Sequence, residues 1–317
     1  MTPPVSHPAP HIVTHILVDW GTSSFRLWAL DAAGSIQAER RSHEGLVVAA
    51  SAGFETILET HLEALGVPAG VPVVICGMAG ARNGWCEAAY LDTPIGLADL
   101  ARQAVAVPFP KRPVRILPGL AQRHPGSRDV IRGEETQLLP LGIAGHTGLV
   151  CLPGTHSKWV RLDQGRVEDF TTFMTGELFQ LLRAQSIIAQ AVASESPVEP
   201  CAAFRLGVAA ALATPAQITQ QLFGLRADWL LAGIAAEDGL AKLSGLLIGI
   251  ELAGARARYG SLDGSSLIAS GAACGLYAAA LEVAGATRFS IRDAEASVRA
   301  GLAAAAMTLF PIGVPSR

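Results

Sequence analysis

The sequence predicts an α/β protein of two similarly built domains, and three observations carry that expectation. At 317 residues the chain is about twice the length of a typical domain. A buried strand, a Gly-rich turn, a second strand, another turn and a third strand follow one another near residue 15, and the series recurs near residue 148. Beyond residue 176 the chain becomes Ala-rich with helical spacing. The echo is weak as identity but informative as organisation, because it implies two domains whose first hairpins face a cleft. The predicted domains are residues 1–144 and 145–317, with the change between Leu141 and Gly148.

Each element has its own signal. Residues 12–19 are β-rich through Ile12, Val13, Ile16, Leu17 and Val18, and end on Asp19 before a Gly turn. Residues 25–30 return as a second strand, residues 31–34 turn, and a third strand near 35–40 completes an antiparallel meander. Phe54, Ile57, Leu58, Leu62 and Leu65 have the spacing of a helix over 54–65. A short buried strand at 71–76 runs into Gly77, Met78, Ala79 and Gly80. Prolines punctuate residues 93–118, where 114–117 reads as a strand, and residues 133–141 turn into a short helix. In the second half, strands are expected at 148–152, 159–162 and 166–170, the last two joined by the Asp163, Gln164, Gly165 turn. Helices are expected at 177–192, 203–212, 227–238, 240–258, 268–284 and 293–308.

Composition narrows the function. Half of the residues are hydrophobic and 16% are charged, which supports a large core and excludes a disordered charged tail protein. A formal net charge of -3 speaks against a general nucleic-acid binder. Five cysteines make an odd count with no CxxC pair, so a reducing, cytoplasmic compartment is expected. The first fifteen residues lack a basic region followed by a long apolar run, and read as a frayed leader rather than a signal peptide. His11 and His15 are four apart in that leader without a third ligand, so histidine metal binding is not expected. The uncharged runs 136–157 and 264–281 are broken by Pro140 and Pro153 or consist of small residues, so no membrane partner is expected.

Four constellations could carry chemistry. In the first, Asp19 ends a buried strand, Gly21 lets the backbone turn, and Thr22, Ser23 and Arg26 can face an anion as backbone nests do. An ordinary hairpin with a polar cap has the same composition. In the second, Gly154, Thr155, His156, Ser157 and Lys158 follow another buried strand. Lys158 is one of three lysines against 21 arginines, a point charge suited to phosphate. Two such turns at matching places in successive domains can grip a polyphosphate from both sides. Neither has Walker A spacing, and no Rossmann fingerprint opens a βαβ unit. In the third, Gly271 and Gly275 begin a helix of small residues with Tyr277, which suits either a nucleoside ring or close helix packing. In the fourth, a carboxylate among Asp129, Glu134 and Glu135 could accept a hydroxyl proton, unless the group is a solvated turn with a helix N-terminal Glu pair. The Gly-rich loop at 76–85 adds Arg82, Asn83 and Trp85, which could hydrogen-bond and stack on a polar organic ligand or simply order a turn.

Residues 19–26, with Asp19, Gly21, Thr22, Ser23 and Arg26, resemble the first phosphate motif of the sugar kinase, actin and heat-shock ATPase superfamily, and residues 271–281 resemble its adenosine motif. Within it, the stretches VDWGTSSFRLWALD, CGMAGARNGW, RDVIRGEETQLLP, LPGTHSKWV, TTFMTGELFQLL and SGAACGLYAAAL resemble the 2-dehydro-3-deoxygalactonokinase family in order from residue 18 to 281. The resemblance implies an actin-like ATPase fold of two ribonuclease-H-like domains with an interdomain cleft. It also implies ATP-dependent phosphorylation of 2-dehydro-3-deoxy-D-galactonate at O6 in galactonate degradation. Asp19 would then position Mg2+ through water, with Thr22 and Ser23 near the phosphates of ATP and residues 155–158 in the second phosphate motif. The superfamily usually has an acidic residue where Pro153 stands, so Asp19 would carry more of the metal's positioning. The substrate is a small sugar acid whose carboxylate needs a receptor, for which Arg82, Arg128 and Arg132 are candidates. A homodimer is compatible with the sequence, and a kinase for another small hydroxylated acid, or a nucleotide-binding regulator, is the competing reading.

Overall fold

Strand β1 (His15–Trp20) has Ile16, Leu17, Val18 and Trp20 buried, the pattern of a central strand covered on both faces. The structure, a computed structural model, describes residues 12–312. Its chain divides into two units, one drawn from the chain up to Gly145 and from Glu295 onward, the other spanning His146–Ala294.

In the first unit β1 is followed by β2 (Phe25–Leu30), β3 (Ile36–Ser42), α1 (Leu46–Ala52), α2 (Phe54–Ala64) and β4 (Val73–Gly77). Then come β5 (Tyr90–Asp92), β6 (Ile95–Gly96), β7 (Val105–Val107), β8 (Val114–Ile116), β9 (Gly119–Gln122), β10 (Asp129–Ile131) and α3 (Glu134–Ile143). The main sheet runs β3-β2-β1-β4-β8-β7. Strands β1, β2 and β3 are the expected antiparallel meander, while β4 and β8 add on in parallel. A smaller sheet runs β10-β9-β5. Trp20, Phe25, Phe54, Ile57, Leu58 and Leu62 form the core under α2.

The second unit holds β11 (Gly148–Leu152), β12 (Ser157–Asp163), β13 (Arg166–Phe173), α4 (Thr175–Gln185), α5 (Ala202–Ala213), α6 (Ile218–Ala232) and α7 (Ala236–Tyr259). After these come β14 (Ser266–Ile268), α8 (Ala272–Val283) and β15 (Ser290–Arg292), and α9 (Ala294–Leu309) closes the described chain. Its strands pair in the order β13-β12-β11-β14-β15, antiparallel within the meander and parallel beyond it. This is the β3-β2-β1-β4-β8 order of the first unit, strand for strand. Each unit thus repeats the ribonuclease-H-like topology that the resemblance implies.

Several elements differ from the sequence expectation. Helix α9 follows the second unit in sequence but packs with the first, where Val298, Leu302, Ala305 and Ala306 are buried. A Cβ on its Gly301 would overlap the Thr136 carbonyl, so only glycine permits this approach to α3. The helix expected at 227–238 is split, because Gly233 adopts a left-handed conformation (φ 63°) that caps α6 before α7 begins. Helix α1 is an element that the sequence does not announce, its uncharged LVVAASA lying between two glycines. Strand β12 begins at Ser157, so Ser157 and Lys158 belong to a strand rather than to the turn. His15 is not in a leader; it lies in β1, buried, with Nε2 2.8 Å from the Phe310 carbonyl. His11 and the residues before it lie outside the described residues.

Candidate active site

In the first unit the ends of β1 and β4 and the start of α3 bring four titratable groups together. Asp19 lies directly opposite Arg26 across the β1–β2 ladder, and an Arg26 Nη sits 2.8 Å from its carboxylate. The Cys76 thiol, next door on β4, donates to Asp19 Oδ1 at 3.7 Å. Burial pushes the Asp19 carboxyl up, the Arg26 guanidinium and the Cys76 thiol pull it down, and the Glu134 carboxylate pushes it up again. Gly77 is required here: its φ is 87°, and a Cβ would lie 2.6 Å from the Trp20 carbonyl.

The Glu134–Glu135 pair opens α3 and satisfies amides at the helix start. Glu134 Oε2 accepts from the Arg132 amide at 3.1 Å, and Glu135 Oε2 accepts from the Gly133 amide at 2.7 Å. Their environments separate them. Glu135 is fully buried and receives the Thr136 hydroxyl at 3.0 Å, and burial followed by the neighbouring Glu134 charge raises its carboxyl to about 7. Glu134 is half-buried and electrostatically coupled to Asp19. Asp129 lies elsewhere, on β10, where its Oδ1 accepts from the Val130 amide and the residue lines an open groove with Arg128.

The hairpin turn at 21–24 is anchored from behind. The carbonyls of Gly21 and Thr22 accept from the first amides of α1, those of Leu46 and Val47, at 3.0 and 3.3 Å. Gly45 makes that contact possible, since a Cβ there would overlap the Thr22 carbonyl and the Ser23 amide. The Thr22 and Ser23 side chains are left exposed.

The second unit repeats the device. The Thr155 carbonyl accepts from the Glu177 amide at the start of α4 at 2.9 Å, and a Cβ on Gly176 would lie 2.5 Å from the Gly154 carbonyl. Gly154 and Thr155 are exposed, and the exposed His156 imidazole pairs with Glu177. Lys158 is buried, its ammonium donating to the His156 carbonyl at 2.7 Å. Ser157 is fully buried and its hydroxyl meets that of Tyr277 at 2.8 Å. Tyr277 in turn donates to Glu251 at 2.7 Å. Gly271 and Gly275 have open space where a Cβ would stand, and Gly271 has φ 60°. A cavity of about 210 Å3 is walled by Pro153, Gly154, Thr175, Gly176, Leu276 and Tyr277, among others.

The loop residues divide by exposure. Arg82 and Asn83 are exposed, with Arg82 Nε 3.8 Å from Glu87. Trp85 packs against Trp20, Phe54 and Phe109 and so belongs to the aromatic core. The Arg132 guanidinium lies over the Tyr90 ring at 4.2 Å and donates to the Ala88 carbonyl at 2.8 Å.

The 2-keto-3-deoxy-galactonokinase family description matches residues 19–305. The chain belongs to the 2-keto-3-deoxy-galactonokinase family. It is 53% identical over 300 residues to the "Probable 2-dehydro-3-deoxygalactonokinase DgoK1" of Rhizobium meliloti (strain 1021), covering 93% of this chain and 97% of that one. It is 34% identical over 272 residues to the 2-dehydro-3-deoxygalactonokinase of Escherichia coli (strain K12), covering 86% of this chain and 90% of the relative. A crystal structure of a Sinorhizobium meliloti protein described in the same terms superposes with a TM-score of 0.91 at 51% identity, covering 94% of this chain and all of that one. Family membership brings the sugar kinase, actin and heat-shock ATPase fold, which the repeated β-order of the two units matches. The 2-keto-3-deoxy-galactonokinase family uses ATP and Mg2+ and acts on a small sugar acid.

The donor sets fit those groups. Mg2+ keeps most of its waters and takes one or two protein carboxylates, the role Asp19 can fill at the foot of an exposed hydroxyl-bearing turn. The apolar cavity beside Gly154 and the open face at Gly271 and Gly275 suit a nucleoside. No helix among the described residues is long and apolar enough to cross a membrane.

Proposed function

We propose that the residues gathered at the two anchored turns carry out the family reaction, phosphorylation of 2-dehydro-3-deoxygalactonate by ATP to give the 6-phosphate and ADP. The chain is a phosphotransferase of this kind; what is proposed is the assignment of residues. The observation that carries it is the duplicate construction: each unit ends its first strand in an exposed turn bolted to a helix N-terminus by a glycine, Gly45 in one and Gly176 in the other.

Mg·ATP, when bound, supplies the transferable phosphoryl group and neutralises charge on it. In this reading Asp19 orients the metal's water shell, held in place by Arg26 and Cys76. Gly21, Thr22 and Ser23 form one phosphate turn, and Gly154, Thr155 and His156 form the other. Lys158 and Ser157 shape the second turn from beneath, because both are buried. Gly271, Gly275 and Tyr277 border the nucleoside.

Glu134 is the carboxylate that takes the proton from the 6-hydroxyl. Its half-exposure and its coupling to Asp19 support this, whereas Glu135 is fully buried and Asp129 lies on a strand away from the group. Such a base contributes about 100-fold or more to turnover. The carboxylate of the sugar acid is received by Arg82 with Asn83 beside it, and by Arg128; all three side chains are exposed. Arg132 and Trp85 support that loop from within.

Cytoplasmic residence fits five cysteines without a pairing pattern. A homodimer is supported by Phe223, Leu230 and Leu231, which stand exposed on α6; light scattering of the purified protein tests it, and a monomer at micromolar concentration would refute it. The central test is turnover. Purified protein with Mg·ATP, offered 2-keto-3-deoxy acids derived from galactonate and gluconate, is expected to release ADP fastest with the galactonate-derived acid. ADP release indifferent to any acceptor would defeat the reading.

A further inference from the structure

Glu251 lies in the middle of α7, 1% exposed, on a helix for which the sequence gives a helical expectation and no functional signal. Its carboxylate collects three donors from three other elements. Oε1 accepts from the Trp159 indole of β12 at 2.9 Å. Oε2 accepts from the Tyr277 hydroxyl of α8 at 2.7 Å and from the Thr175 hydroxyl at the first residue of α4. Burial raises this carboxyl, and the hydrogen bonds from Thr175, Tyr277 and Trp159 pull it back toward ionisation.

As an acceptor, this carboxylate sets the direction of every hydroxyl around it. With the Tyr277 hydrogen committed to Glu251, the Ser157 hydroxyl, 2.8 Å from the Tyr277 oxygen, is the donor in that pair. The lone pairs of Ser157 then face the Gly154 amide, 3.5 Å away. One buried carboxylate therefore links the base of the 153–158 turn, the first turn of α4 that supports it, and the helix bearing Gly275. Gly154, Thr175 and Tyr277 all wall the 210 Å3 cavity, and Glu251 ties the latter two from behind it. Glu251 itself lines a different cavity, of about 400 Å3, which is apolar apart from Thr175 and Glu251.

We propose that Glu251 is a positioning residue for nucleotide binding. It holds the second phosphate turn and the adenosine helix at one spacing through Thr175, Tyr277 and Ser157, without touching the nucleotide. The inference rests on the reading of residues 153–158 as a phosphate turn.

The test compares three variants of the full chain, each first shown to be folded by circular dichroism. Tyr277→Phe deletes only the hydroxyl that links Ser157 to Glu251, and Glu251→Gln keeps the volume but brings an amide donor among three donors. Gly154→Val adds bulk to the turn itself, where a Cβ meets nothing closer than 3.7 Å, so the change obstructs a ligand rather than the fold. Mg·ADP affinity is measured by titration calorimetry, and KM for ATP and for the keto acid are measured separately. Tyr277→Phe and Glu251→Gln are expected to weaken Mg·ADP binding about tenfold, the scale of one or two lost hydrogen bonds, and to raise KM for ATP alike. KM for the keto acid should stay at its wild-type value, a split that general destabilisation would not produce. If Gly154→Val abolishes Mg·ADP binding while Tyr277→Phe binds as wild type, Glu251 has no positioning role and the phosphate turn stands. If Gly154→Val also binds as wild type, the turn does not meet the nucleotide, and both ideas fall.

Discussion

Glu134 and Glu135 are adjacent in sequence and identical in chemistry, yet the helix start turns one outward and the other inward. The inward group carries a measurable penalty. Below about pH 4.5 Glu135 is protonated in both the folded and the unfolded chain. Between there and pH 7 the unfolded chain ionises while the folded one does not, so stability falls across that window and levels off above it. The full loss is about 3 kcal/mol. Glu135→Gln is expected to flatten the pH dependence of the urea midpoint between pH 4.5 and 7; an unchanged slope would mean that other groups produce it. Glu134→Gln removes the smaller of the two causes that raise Glu135, so it should reduce that slope only in part, and it should lower kcat by about 100-fold or more. Asp19→Asn keeps the shape of the side chain and loses the charge that Arg26 faces; it should fold and lose about 100-fold or more in phosphoryl transfer. Wild-type turnover in Asp19→Asn would remove that residue from the mechanism.

At the scale of elements, the two turns are rigid because helices are docked behind them. The carbonyls of a tight turn and the unpaired amides of a helix N-terminus satisfy each other, and a glycine lets the backbones meet. Gly45→Ala therefore forces the turn at 21–24 to move. It should cost about 1–3 kcal/mol in denaturant unfolding and raise KM for ATP. Gly224→Ala on α6, where a Cβ meets nothing within 4 Å, is the contrasting case: it should be neutral or stabilise by up to about 1 kcal/mol. Equal losses in the two variants would show that Gly45 is no more than a flexible joint. These glycines were invisible as site residues in the sequence. Gly45 and Gly176 lie some twenty residues after the turns they serve, and nothing local distinguishes them from ordinary loop glycines.

For the molecule as a whole, chain order does not decide which unit an element belongs to. Helix α9 is the last described element and belongs to the first unit, and its Leu302 is fully buried. Leu302→Ala should lower stability by about 2–5 kcal/mol. Limited proteolysis of that variant should cut first in the unit that precedes Gly145, although the substitution lies far downstream. First cuts within His146–Ala294 would contradict this assignment. The duplicated meander was legible from residues alone, because apolar runs, Gly turns and their repetition at 15 and 148 depend on local spacing, whereas the parallel strands β14 and β15 that complete the matching order were not. Also legible were the turns themselves, Asp19 at the foot of the first, and the kinase resemblance.

What the sequence determined by itself is the alphabet of the protein: two meanders, two glycine turns, a helix of small residues, and the family that such a series belongs to. The tertiary structure decided which chemically equal residues differ. Burial separates Glu134 from Glu135, buries Lys158 and Ser157 beneath the turn that Thr155 exposes, turns Trp85 into core, and places Glu251 where three donors converge. These distinctions arise from desolvation and from partners distant along the chain, as in the 92 positions between Trp159 and Glu251. A one-dimensional pattern contains neither.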